Sequence, residues 1–355
     1  MLPDPLILPD GTSIRDEAGW RTLGVPAWRA VCAAEIYGPA PPATPVEGTI
    51  VATAAARTLV DIAVAPSLAP IRVALYRPAT PARTLFVGPN YAGNASLDPS
   101  LEIDGRWMRA EPGWGIVANR ATQATRGVHA ERLPIAEILA RGAAVATWYD
   151  GDVCPDDPAL CAARGAALGV AGGAISLWAW GFSRVLDGLA QTGLVPTDKA
   201  VAFGHSRHGK AALWAVANDA RFAGAIANNS GAGGARPFRC QGGETIGDLF
   251  RRFPHWFSPA LQNFAGREAA LAADQHIVLA LAAPRPLYVA RASDDAWAGP
   301  TGELAGLEAA RPVYDLDGAS DALGTHLRHG GHALTPEDWR HFLAFADRCR
   351  RSGKF

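Results

Sequence analysis

The chain has 355 residues, 49% of them hydrophobic and 19% charged, with a formal net charge of −1. That balance excludes an intrinsically disordered chain, and the near-zero charge excludes a basic field that would gather nucleic acid or an anionic membrane. No apolar run is long enough to span a bilayer, so a membrane protein of the helical kind is excluded too.

The opening Met1-Leu2-Pro3-Asp4-Pro5 has neither the basic flank nor the apolar stretch of a signal peptide. The expected location is therefore secreted or periplasmic with a leader already removed. Residues 1–45 are rich in Pro and Gly, with a helix expected around Trp28–Tyr37. They read as an N-terminal wrap on one catalytic domain over residues 46–355. Gly48–Val64 and Ile71–Tyr76 carry clustered β-branched residues and read as antiparallel strands. Leu85-Phe86-Val87 is a strand that runs into Gly88-Pro89-Asn90-Tyr91-Ala92-Gly93-Asn94, a loop of the kind where hydrolases place a second oxyanion donor. From Ala95 to Arg132 the chain is loop-like, with Trp107, Trp114 and several Arg.

Ile135–Arg141 reads as a helix closed by Gly142, Ala143–Tyr149 as a strand and Ile175–Gln191 as a long helix. Ala200–Phe203 and Ala223–Asn228 are further strands, residues 235–275 are irregular and aromatic, and Ile277–Ala282 is helical. Pro286–Ala292 reads as a strand ending at Ser293-Asp294-Asp295, and residues 312–316 as one more. His326 to His332 reads as a loop, and Asp338–Arg350 as the closing amphipathic helix. Strands alternating with helices imply a mostly parallel sheet covered on both faces, a three-layer α/β sandwich. The five cysteines, at 32, 154, 161, 240 and 349, are odd in number and scattered. Cys154 and Cys161 are close enough in sequence to pair but match no metal spacing, and buried free thiols are the simpler reading. No metal and no cofactor are expected.

The chemistry centres on Gly204-His205-Ser206-Arg207-His208-Gly209-Lys210, between the strand at Ala200–Phe203 and the Ala-rich helix that begins at Ala211. A Ser on a tight strand-to-helix turn is a nucleophile elbow. The second Gly falls at 209, where the usual Gly-x-Ser-x-Gly spacing needs 208. The same letters spell the Gly-x-x-x-x-Gly-Lys of a phosphate loop, but Ala211 stands where that loop needs Ser or Thr for magnesium. An acyl-transfer Ser needs a His as base and a carboxylate to orient it. In the order Ser, acid, His of this fold, Asp295 ends a strand after the elbow and His332 sits in a Gly-rich loop before the last helix. His329 and Asp294 are their neighbours and competitors.

Four segments then carry a resemblance: Gly204–Ala215 (GHSRHGKAALWA), Asp274–Tyr288 (DQHIVLALAAPRPLY), Asp295–Gly302 (DAWAGPTG) and Arg328–Trp339 (RHGGHALTPEDW). Together with Trp178-Ala179-Trp180-Gly181 and Asp150–Asp156 (DGDVCPD), they resemble carbohydrate esterase family 15, the glucuronoyl esterases of the α/β-hydrolase superfamily. The displaced Gly is that family's own elbow variant. The resemblance implies hydrolysis of esters between 4-O-methyl-glucuronic acid on xylan and lignin alcohols, by a monomer acting on a uronic-acid-bearing saccharide. It implies Ser206 as nucleophile, His332 as base, Arg207 as oxyanion residue, Lys210 as a contact to sugar hydroxyls and Trp297 as a wall of the sugar site. Three positions depart from it. His205 replaces a Cys that forms a disulfide in fungal members, Asn229 replaces the Glu that some members use as acid, and Phe253 replaces a Glu that contacts sugar in fungal members. With Asn unable to supply charge at 229, the acid falls to Asp295. An acetyl esterase of the same fold and a carbohydrate-binding protein with a relict site are the alternatives.

Overall fold

A computed structural model describes residues 2–66 and 68–355. Eleven strands form: β1 Glu47–Ala54, β2 Arg57–Ala63, β3 Ile71–Tyr76, β4 Leu85–Asn90, β5 Ile116–Val117, β6 Arg120–Ala121, β7 Ala144–Tyr149, β8 Ala200–His205, β9 Gly224–Asn228, β10 Leu287–Ala292 and β11 Leu323–Arg328. The helices are α1 Glu17–Gly19, α2 Val25–Cys32, α3 Ile135–Ala140, α4 Pro158–Ala167, α5 Ala174–Thr192, α6 Arg207–Asn218, α7 Ile246–Arg252, α8 Pro259–Gln262, α9 Gln275–Ala280, α10 Pro300–Leu316 and α11 Pro336–Arg351.

Nine strands make one sheet in the order β1-β2-β3-β7-β4-β8-β9-β10-β11. The pairs from β1 to β7 are antiparallel, and every pair from β7 to β11 is parallel. The parallel strands β4, β7, β8, β9 and β10 are buried at every position, which is why they read as continuous apolar runs. One face carries α5, α6, α9 and α10 over a core of Leu177, Phe182, Trp214, Ile277 and Leu307. The other carries α3 and α11, whose Ile138, Trp339, Phe342 and Phe345 close on Phe86, Phe203 and Tyr288. The expected α/β-hydrolase sandwich is the fold observed.

The N-terminal residues join the first of these cores. Trp28, Ile36 and Tyr37 are buried in it, and the Tyr37 hydroxyl donates to Gln275 Oε1 at 2.7 Å. The helical run begins earlier than expected, at Glu17, and passes through π-turns at Trp20–Gly24 and Ala33–Tyr37. Two expectations at the other end are corrected. Residues 312–316 are not a strand but the last turn and a half of α10, which continues through Pro312. The last strand is β11, in the stretch whose second half read as loop. Val313 and Tyr314 mimic a strand in sequence, yet both are buried against the core from a helix.

Candidate active site

Ser206 stands between β8 and α6 with φ 54° and ψ −126°, a left-handed backbone that costs a non-Gly residue on the order of 1–3 kcal/mol and is retained where the site needs it. Its N–H donates to the Asn228 carbonyl at 2.9 Å, and its own carbonyl accepts from Gly209 at 2.9 Å. The turn is too tight for a side chain at 204, where a Cβ would lie 2.1 Å from the His208 carbonyl. At 209 a Cβ would lie 2.9 Å from Ser230 Cβ. The second Gly is therefore set by the approach of α6 to the segment after β9 as well as by the elbow, whose Gly204 carbonyl lies 3.1 Å from the same Cβ. The first N–H groups of α6, at Arg207 and His208, have no intrahelical acceptor and carry the positive end of the helix dipole.

His332 Nδ1 and Asp295 Oδ2 are 2.6 Å apart. Asp295 is buried and His332 half-exposed. The same Asp295 oxygen accepts from Asn229 Nδ2 at 2.7 Å, and Oδ1 accepts from the Ala298 N–H at 3.1 Å. Burial would raise the Asp295 carboxyl, but the hydrogen bonds and charge of His332, with those from Ala298 and Asn229, hold it below the ordinary carboxylate value. Asn229 is thus a partner of the Asp295 carboxylate. Its backbone is also left-handed, with φ 46°. Ser206 and His332 line one cavity of about 240 Å³, and among the described residues no hydrogen bond joins them. Such contacts commonly tighten only when substrate binds. The competitors lie elsewhere: His329 and Asp294 face each other in solvent at 3.8 Å.

Arg328, at the end of β11, cradles the His332 loop. It donates to the carbonyls of His329 at 3.1 Å, Gly331 at 2.8 Å and Ala333 at 2.6 Å, and Asp338 holds it from behind at 3.0 Å. The His332 ring also packs on His205, with centroids 4.5 Å apart and planes tilted by 44°. His205 is buried and its Nδ1 is 2.6 Å from Asn228 Oδ1. Burial, with the charge of His332 and Arg132, keeps the His205 imidazole well below its usual pKa and neutral. His208 is equally buried, 2.7 Å from Asp150 Oδ2.

The other expected residues all reach the cavity wall. The Arg207 guanidinium donates to Asp150 Oδ2 at 3.0 and 3.3 Å and lies 4.5 Å from the Tyr91 ring centre. Burial opposes its charge, but Asp156 and Asp150 outweigh that and raise its pKa further. Lys210 spends all three protons inside the protein, on the carbonyls of Ser230 and Ala232 and on Glu244 Oε2 at 3.0 Å. The Lys210 ammonium that the resemblance assigns to sugar hydroxyls is thus held by protein acceptors in this structure. Trp297 lies at the rim, with Arg252 4.5 Å over its ring.

A family model described as glucuronyl esterase of fungi matches residues 167–318. The prokaryotic relative "Carbohydrate esterase MZ0003" is 33% identical, over 99% of this chain and 90% of that protein. A solved structure described as a promiscuous CE15 esterase from a marine bacterial metagenome superposes with a TM-score of 0.90 at 32% identity, covering 98% of this chain and 96% of the other. The chain belongs to carbohydrate esterase family 15. The "4-O-methyl-glucuronoyl methylesterase" of Podospora anserina is 30% identical over 68% of this chain, which spans about half (51%) of that relative's length.

Several cavity residues of this family 15 protein were not found in its sequence. Glu244 pairs with Lys210, and Arg109 and Arg132 line the same cavity. Tyr91, from the loop after β4, lines the cavity, but its hydroxyl is spent on the His205 carbonyl. The aromatic stretch after β9 divides. Phe253 and Trp256 stack at 3.8 Å on the cavity wall, whereas Phe257 is buried against Tyr37. The signal for Glu244 lay in Thr245-Ile246-Gly247-Asp248, a capping box that starts α7 one residue later.

Proposed function

We propose that the protein is a serine esterase that hydrolyses esters of glucuronic acid and its 4-O-methyl ether, of the kind that join xylan to lignin. The observation that carries this reading is the 2.6 Å contact of His332 with Asp295 on the wall of the cavity that Ser206 lines. His332 takes the Ser206 proton as Oγ attacks the ester carbonyl, and Asp295 balances the imidazolium. The carbonyl electron pair moves to oxygen, where the first N–H groups of α6 and the Arg207 side chain receive it. The intermediate collapses, the bond to the alcohol breaks and His332 protonates the leaving oxygen. Water then repeats the sequence on the acyl-enzyme and releases the uronate.

The cavity takes one sugar ring and leaves the polymer in solvent. Trp297, Phe253 and Trp256 give it flat walls. Lys210 acts there through what it holds, because it fixes the Glu244 carboxylate and the Ser230 and Ala232 carbonyls. One chain supplies every part, which favours a monomer, and a wall polysaccharide as substrate favours an extracytoplasmic location.

The test is a comparison of benzyl glucuronate, benzyl galacturonate and acetylated xylan as substrates. The reading expects glucuronate to be turned over fastest. Equal rates on acetate and glucuronate would overturn it, as would failure of a serine-reactive phosphonate to label Ser206.

A further inference from the structure

Four cationic side chains line the cavity: Arg109, Arg132, Arg207 and Lys210. Three are matched by acids. Arg109 meets Glu111 at 2.9 Å and Asp156 at 3.1 Å, Arg207 meets Asp150 at 3.0 Å, and Lys210 meets Glu244 at 3.0 Å. Arg132 has no such match among the described residues. The influences on its charge are burial, Tyr91 and Arg207, with no carboxylate among them. Its guanidinium lies over two rings, 5.5 Å from the centre of Tyr91 and 5.6 Å from that of Trp114. Its backbone is fixed, since its carbonyl accepts from Trp339 Nε1 at 2.8 Å and its N–H donates to His129 at 2.9 Å.

A partly buried guanidinium without an acid is costly, and ring contacts offset only part of that cost. Its position says what the charge is for. Tyr91 carries Arg207 over the same ring, at 4.5 Å, and Arg207 directly follows Ser206. Arg132 and Arg207 thus share the Tyr91 ring and the cavity that Ser206 lines. Arg207 is shared with Asp150 and Asp156, so among the described residues the cavity cation that meets no carboxylate is Arg132. A cation of that kind is matched when an anion forms in the cavity. In ester hydrolysis an anion does form, first on the tetrahedral carbon's oxygen and then as the released carboxylate.

We propose that Arg132 is a second anion-binding group of this cavity, which joins Arg207 and the first N–H groups of α6 in receiving the negative charge that the acyl group acquires in the tetrahedral intermediate and keeps in the product. It makes and breaks no bond. The proposal rests on the ester-hydrolase reading above.

The experiment compares Arg132→Met, which keeps a long side chain against Tyr91 and Trp114, with Arg132→Lys, which keeps the charge. kcat and KM are measured on methyl and benzyl glucuronate, and glucuronate affinity is measured by calorimetry on Ser206→Ala proteins with and without the Met change. We expect Arg132→Met to lower kcat by roughly 10²-fold on both esters with KM altered less than about threefold. Glucuronate binding should weaken at least about tenfold, and Arg132→Lys should restore much of both. Unchanged kcat and unchanged glucuronate affinity would overturn the proposal. So would a loss confined to the benzyl ester, which would make Arg132 a platform for the leaving alcohol. Thermal melts of Arg132→Met identify a folding defect, and Arg132→Lys then decides. An unmodified enzyme that cleaves acetates but not glucuronates would sink the glucuronate reading alone. Arg132 would then be read with acetate esters and acetate as product.

Discussion

At the scale of single residues the acid is the sharpest case. Asp295→Asn should cut kcat on methyl glucuronate by on the order of 10²–10⁴-fold, since an amide cannot balance the imidazolium. Asn229→Ala removes one of the hydrogen bonds to that carboxylate and should cost far less, while Asp294→Asn should leave steady-state kinetics unchanged. A near-normal Asp295→Asn enzyme would refute the assignment. Lys210 gives a different expectation. Lys210→Met leaves Glu244 buried without its cation, so the protein should lose about 3–5 kcal/mol of stability in denaturant melts. Lys210→Met with Glu244→Gln should recover part of it. Ser206, Asp295 and His332 were legible in sequence because a local turn and a chain order mark them. Lys210 was reached only through the family resemblance, and Arg132 not at all, because what defines Arg132 is the carboxylate it does not meet in space.

At the scale of elements, the end of β11 and the loop after it are one device. Arg328 binds the carbonyls on either side of His332 and is itself bound by Asp338 in the first turn of α11. Arg328→Met should lower kcat by about tenfold or more while KM stays within a few fold, because the base loses its position and the sugar site does not. A change in KM alone would show that the loop serves binding instead. The same device hid the strand. In β11 Leu327 is 53% exposed while Arg328 is 5% exposed, the reverse of what alternation predicts. An ion pair with the next helix draws the charged residue inward, and no reading of strand periodicity anticipates that. The helix α10 misled in the opposite sense, its Val313 and Tyr314 carrying strand propensity within a helix whose preceding turns were already packed on the core.

At the scale of the whole molecule, the layered fold was legible from alternating element types, and the N-terminal helix and aromatic segment were placed but not bounded. The molecule also carries a buried charge outside the triad. Glu303, in the first turn of α10, accepts from Ser230 Oγ at 3.1 Å and the Gly231 N–H at 2.9 Å. Burial, joined by the charge of Asp295, raises its pKa from 4.5 to about 7 despite those hydrogen bonds. A carboxyl raised in the folded state stabilises fully below its unfolded pKa and loses that contribution as pH rises through the folded value. The difference is worth about 3 kcal/mol, taking roughly 1.4 kcal/mol per pH unit. The melting temperature should therefore fall between pH 5 and pH 8 more steeply than in Glu303→Gln. Parallel curves for the two proteins would show that Glu303 is ionised throughout.

The Arg328 clamp has a further consequence. All five cysteines are free, and the loop that carries His332 is tied down by a guanidinium and a carboxylate. A reducing agent finds nothing there to cut, so activity and melting should be the same with and without dithiothreitol. The knot is vulnerable to acid instead. Burial pushes the Asp338 carboxyl up, but bonds from His326 and Thr335 and the charge of Arg328 hold it below 3.8. The loop should thus come loose only under strong acidity, when Asp338 takes up a proton and releases Arg328.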